Sequence, residues 1–156
     1  MIMESVEMEG LHDEIPKVAS MVVTMMREWD SDLDYSMESL DLIDAQIEKY
    51  RKEGLTAASM SATMTAFGIY VGEVIRRTLG HGHWARDAES DVYLAVESFA
   101  IDPIGKCMKR LDNGPEDCVK AFSEFVVRCI RSVGERDGNK APTDDLAISP
   151  TPGTTT

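Results

Sequence analysis

Two histidines two residues apart, His81-Gly-His83, stand in a segment that reads as extended, where residues i and i+2 share a side and two imidazoles could hold one metal ion. Two ligands leave a shell open, so a third would come from Glu73 one helical stretch earlier, or from Asp87, Glu89 or Asp91 just after. The competing reading is a glycine loop, Gly80 and Gly82, whose histidines are solvated and whose Trp84 enters the core. Asp30-x-Asp32-x-Asp34 matches the opening of a calcium loop and falls between two helical patterns. The rest of that pattern fails: Tyr35 occupies the position needing glycine, and Asp41 stands where a bidentate glutamate is required. An acidic, solvated loop is the reading that remains.

The cysteines are three, Cys107, Cys118 and Cys129, with no C-x-x-C pair. An odd number suits a reducing compartment. Each lies on or beside an apolar helical stripe with no histidine nearby in sequence, so buried free thiols are expected rather than ligands or a nucleophile. Lys106, Lys109, Arg110, Lys120, Arg128 and Arg131 gather the late positive charge; they could bind an anion, or balance acidic neighbours. No phosphate loop, dinucleotide fingerprint, nucleophile elbow or zinc-protease motif occurs. No cofactor is implied.

The strongest electrostatic feature is a run from Glu28 to Glu48 with eight acidic residues (Glu28, Asp30, Asp32, Asp34, Glu38, Asp41, Asp44, Glu48) and no lysine or arginine. With a formal net charge of -12, the chain is a poor ligand for nucleic acid, whose binding depends on cations displacing counterions. A basic protein partner is the complementary expectation. The N-terminal residues are acidic and lack the basic and apolar regions of a signal peptide, and the uncharged stretch from Leu55 to Gly72 is broken by hydroxyl residues and glycines. A cytoplasmic protein that does not enter membranes is expected.

These side chains must be carried by a fold of 156 residues, enough for one core that buries about 70% of the surface of the unfolded chain. Residues 1–12 show no sustained period and read as a flexible N-terminus. From a cap at Asp13, Ile15, Val18, Val22, Met25, Met26 and Trp29 recur at helical spacing. Ser36 caps a second helix, with Tyr35 and Leu40 as its staple and Gly54 as its stop. Thr56 caps a third, central helix ending at Gly80, in which Gly68 and Gly72 admit a second backbone at close range. His83–Arg86 and Val92–Val96 read as two strands of a hairpin joined by an acidic turn, packed on that helix. Asp102-Pro103 opens a fourth helix, Pro115 a fifth, and Gly134 ends the domain. Residues 135–156 are too polar to offset the entropy of ordering them and read as a disordered tail. The expectation is an α+β domain over residues 13–134, mostly helical, in the order ααα-ββ-αα.

Leu33-Asp-Tyr-Ser36, Tyr70-Val-Gly-Glu-Val-Ile75 running on to Leu79-Gly80 and Trp84, and Asp102-Pro-Ile-Gly-Lys106 resemble uncharacterised bacterial proteins of unknown function, over about residues 33–133. The resemblance implies a helix ending in Leu-Gly, a tryptophan-bearing strand, a second strand and paired helices, and it implies no activity. This chain expands the usual glycine before the tryptophan to Gly80-His-Gly-His-Trp84, so the histidines inherit no role. Three functional readings follow: a non-enzymatic interaction or regulatory protein using Glu28, Asp30, Asp32, Asp34, Glu38, Asp41 and Asp44; a metal-binding protein or metal-dependent enzyme using His81, His83 and Glu73; and a homodimer formed through Met21, Met25 and Met26.

Overall fold

The computed structural model describes residues 2–138, and side chains from Leu11 to Glu135. Within the described residues, five α-helices and one three-stranded antiparallel sheet make an α+β fold in the order α1 (Ile2–Arg27), α2 (Leu40–Lys52), α3 (Ser61–Leu79), β1 (His83–Arg86), β2 (Val92–Val96), β3 (Phe99–Ile101), α4 (Pro103–Asn113) and α5 (Val119–Gly138). A 3₁₀ turn, Pro115–Asp117, links the last two helices.

Helix α3 is the central element because it has almost no polar face: every residue from Phe67 to Ile75 is buried. Its two interior glycines are where neighbours come closest. A Cβ at Gly68 would lie 2.4 Å from the Cα of Ile104 on α4, and one at Gly72 would lie 2.3 Å from the Trp84 ring on β1. Gly80 ends α3 in the left-handed region, at φ +84°.

The expected caps act about one turn ahead of the regular helices, which begin at Leu40 and Ser61. The Ser36 hydroxyl accepts the Ser39 N–H at 3.1 Å, and Asp34 Oδ1 accepts the Ser36 N–H at 3.0 Å. Thr56 and Ser59 cap each other reciprocally before α3 begins.

Helix α1 starts at Ile2, well before the Asp13 cap expected from periodicity. Its buried face extends back through Ile15 to Leu11, one turn earlier, so packing continues past the cap. Pro16 therefore lies inside the helix, where it cannot donate to the His12 carbonyl. At the other end α5 runs through Gly134 to Gly138, because an open-surface glycine costs a helix only about 1 kcal/mol and Val133 still packs on the core. The disordered tail expected from Glu135 is thereby corrected at its first four residues, which are helical, and the remainder lies outside the described residues.

The sheet has three strands where two were expected. Both expected strands have the anticipated bounds, paired with Arg86 opposite Val92, and β3 returns along β2 with Phe99 opposite Val96 and Ile101 opposite Leu94. The β2–β3 turn, Glu97-Ser98, lacks glycine or asparagine; Glu97 itself takes the left-handed conformation at φ 53°. The β1–β2 turn places Ser90 in the same region, at φ 66°.

Candidate functional site

The acidic run from Glu28 to Glu48 divides into a consumed half and a free half. Asp44 is buried on α2. Its Oδ1 accepts Arg110 Nε at 3.2 Å and the Val119 N–H at 2.8 Å; its Oδ2 accepts the Lys120 N–H at 3.0 Å and the Cys118 thiol at 3.3 Å. This carboxylate caps α5 from another helix, using two of the backbone donors that a helix start leaves open. Arg110, 5% exposed, also reaches Glu48 at 2.8 Å, and Glu48 holds Arg51 at 2.7 Å. Asp41 pairs with Lys120 at 3.1 Å.

Arg51 first, then Arg110, hold the Glu48 carboxyl down at about 2 through hydrogen bonds. Burial pushes the Glu73 carboxyl up, but hydrogen bonds from Arg76 and Trp84 with the charges of Arg76 and Arg77 outweigh it, and the net direction is down. A carboxyl lowered on folding stabilises the fold above its unfolded pKa and loses that contribution as pH falls through its folded value. Acid titration followed by circular dichroism is therefore expected to show stability falling from about pH 4.5 towards pH 2. Replacing Glu48 by Gln should flatten the lower part of that profile.

The free half sits on the α1–α2 connection. Glu28, Asp30, Asp32 and Glu38 are exposed. The Arg27–Asp32 pair spans 3.9 Å with both side chains largely solvated, and contributes little. Asp34 is exposed but engaged with the Ser36 backbone and hydroxyl, which hold its pKa down. Among these carboxylates stands Trp29, 47% exposed, and four and eight residues before it on α1 lie Met25, half-buried, and Met21, 58% exposed. Sequence reading placed Trp29 on the buried stripe; it falls just past the end of α1, where its N–H reaches the Met26 carbonyl and the chain has begun to turn. Met26, expected on an exposed dimer stripe, is 1% exposed and belongs to the core. The helix phase separates it from Met21 and Met25.

The loop beyond is held in an unusual conformation. Tyr35 has φ 64°, a region that bulky residues rarely adopt. Its N–H donates to Tyr70 Oη at 2.9 Å, its ring packs on Tyr70 with centroids 5.0 Å apart, and the Arg77 guanidinium lies 3.5 Å above it. Ser39 Oγ donates to the Ser36 carbonyl at 2.6 Å, so the Tyr70 hydroxyl donates in turn to Ser39 Oγ at 2.7 Å. This buried network fixes the loop that displays the acidic surface.

The proposed metal ligands are placed differently. Glu73 is 1% exposed, and its carboxylate is taken by Arg76 at 2.7 and 3.1 Å and by the Trp84 indole N–H at 3.0 Å. That occupied carboxylate, with an arginine against it, is a poor seat for a cation. His81 points to Leu79 O at 3.2 Å and to Glu97 at 3.4 Å, whereas His83 lines a small cleft with His12, Glu73 and Arg76. Gly82, at φ +124°, breaks the extended backbone that a shared side would need. Asp87, Glu89 and Asp91 do converge at the hairpin tip, where Asp87 Oδ1 already accepts the N–H groups of Glu89 and Asp91.

Three of the six late basic residues pair with acidic neighbours: Lys106 with Asp117 at 2.8 Å, Arg110 with Asp44 and Glu48, and Lys120 with Asp41. All three cysteines are free. Burial raises the Cys107 and Cys118 thiols, which disfavours the reactive thiolate. Among the described residues no buried side-chain nitrogen or oxygen lacks a hydrogen bond, and no helix is long and apolar enough to cross a membrane. No family model matches the chain, and neither the curated proteins nor the solved structures compared with it gave a match.

Proposed function

We propose that this protein is an interaction module that receives a basic partner protein on the acidic α1–α2 surface, with Trp29 as the apolar anchor. The observation that carries this reading is an exposed tryptophan among Glu28, Asp30 and Asp32, three carboxylates with at most one solvated internal cation between them. Acidic residues that served only the fold would be paired as Asp41, Asp44 and Glu48 are. Tryptophan concentrates binding energy at interfaces, and its face also receives lysine or arginine. The surrounding carboxylates would accelerate encounter in a salt-dependent way.

The test is photo-crosslinking from position 29 in cells, followed by affinity measurement with each protein so identified. Charge reversal at Glu28, Asp30 and Asp32 to Lys is expected to weaken binding at least tenfold at low salt, and the loss should shrink as salt rises. Trp29→Ala should weaken it comparably at every salt concentration. Unchanged affinity for every crosslinked protein would reject the reading. A crosslink between two copies of the chain would assign the surface to self-association.

A further inference from the structure

A second concave surface lies between the hairpin tip and the start of α4. It is a groove of about 920 Å³. Its apolar lining includes Tyr93, Ile101, Ile104 and Met108, and Asp87, Asp91 and Asp102 stand around it. Among the described residues the one cation in the wall is Arg86, which is turned to the Ser90 carbonyl at 3.1 Å. Charge around the groove is therefore negative over an apolar floor.

The strand beside this groove is left incomplete. Strand β3 covers β2 only from Leu94 to Val96, because Ile101 opposite Leu94 is followed by Asp102 and then by Pro103, the first residue of α4. The position that would face Val92 is Pro103, which has no N–H and has already left the sheet. Ladder alternation gives the direction of Val92's backbone groups. The Asp87 N–H donates to the Asp91 carbonyl, so Asp91 faces β1, and Val92, the next residue, directs its N–H and C=O to the other side. Pro103 cannot donate to the Val92 carbonyl, the register with β3 stops at Leu94, and among the described residues no bond joins either group to a residue outside the sheet. One donor and one acceptor, spaced as in a strand, thus open towards the groove.

We propose that this groove binds an extended segment of a partner protein that carries alternating basic and apolar side chains. One main-chain amide unit of the segment completes the ladder at Val92. An apolar side chain descends between Tyr93, Ile104 and Met108, and a lysine or arginine meets Asp91 and Asp102. Main-chain pairing with pockets for alternate side chains is the usual logic of strand addition. The groove is distinct from the Trp29 surface and does not depend on the role assigned to it.

The experiment is a titration of ¹⁵N-labelled protein with the blocked pentapeptide Val-Lys-Val-Lys-Val, and with Val-Glu-Val-Glu-Val as control. The lysine peptide is expected to move the amide signals of Val92, Tyr93, Ala100 and Ile101 most, and the glutamate peptide to leave them in place. Val92→Pro removes only the N–H that faces the groove and should weaken binding at least fivefold. Asp91→Lys, at an exposed residue whose hydrogen bonds among the described residues are made by its backbone, should do the same and keeps the test decisive if the proline variant misfolds. No movement at millimolar peptide, equal response to both peptides, or affinity unaffected by Asp91→Lys would overturn the proposal. Shifts confined to Trp29 and its neighbours would overturn it too, while leaving the acidic α1–α2 surface as a basic-peptide site.

Discussion

Replacing Gly68 or Gly72 by Ala is expected to destabilise the fold by roughly 2–3 kcal/mol each, despite removing a glycine from a helix interior. In an open helix the substitution would stabilise by up to about 1 kcal/mol through backbone entropy. Here the added methyl has no room. At Gly68 it would lie 2.4 Å from the Cα of Ile104 and 2.7 Å from its backbone nitrogen, so helix α4 itself must move. At Gly72 it meets the Trp84 ring at 2.3 Å, and displacing that ring also stretches the indole N–H bond to Glu73. Chemical denaturation of both variants beside Gly134→Ala supplies the contrast, since a Cβ at Gly134 meets nothing within 4 Å. Stability at or above that of the parent protein in G68A and G72A would refute the packing argument.

Asp44→Ala is expected to cost about 3–5 kcal/mol, the range seen when one partner of a buried ion pair is removed. The change leaves Arg110 buried with Glu48 as its one carboxylate partner beside the residue-44 carbonyl, and it uncovers the Val119 and Lys120 N–H groups at the start of α5. Asp44→Asn separates the two contributions. Its amide oxygen can still accept a backbone N–H, so it should retain part of the helix cap while losing most of the charge pairing with Arg110. Equilibrium unfolding should rank the parent above Asn and Asn above Ala. Equal stability of Asn and Ala would show that the cap contributes nothing measurable.

These two sites show what could and could not be read from the sequence. Gly68 and Gly72 were legible because they interrupt a long apolar helix four residues apart, a local pattern with one physical use. Trp84 and the hairpin were legible for the same reason, from period and turn. Asp44 was not: in the chain it stands among seven other carboxylates, and its partners lie 66 to 76 positions away. Nothing local distinguishes it from Asp30, which is exposed. Glu73 enters the sequence reading only as a candidate metal ligand with His81 and His83, whereas the arginines three and four residues on are what meet its carboxylate. Helical spacing predicts those contacts directly. Strand β3 was missed because its three residues are too few to show a period, and because Glu97-Ser98 carries no turn signature.

The acidic run also shows why composition alone overstates a binding surface. Eight carboxylates without a cation in sequence become, in three dimensions, a polar junction among α2, α4 and α5 and a smaller exposed group around Trp29. Two of the cations that neutralise the first set, Arg110 and Lys120, arrive from the last third of the chain, and Arg51 comes from α2 itself.

The two tryptophans are sorted as sharply as the carboxylates. Trp84 is 3% exposed, with its indole nitrogen bonded to a buried carboxylate, whereas Trp29 is 47% exposed on an acidic rim. Intrinsic fluorescence therefore comes from two chromophores in opposite settings, a shielded one at the helix–sheet contact and a solvated one on the acidic α1–α2 surface. The negative rim repels iodide and attracts caesium, so the two quenchers see different molecules. One cuvette can follow core integrity and surface occupancy as separate optical channels, without a label.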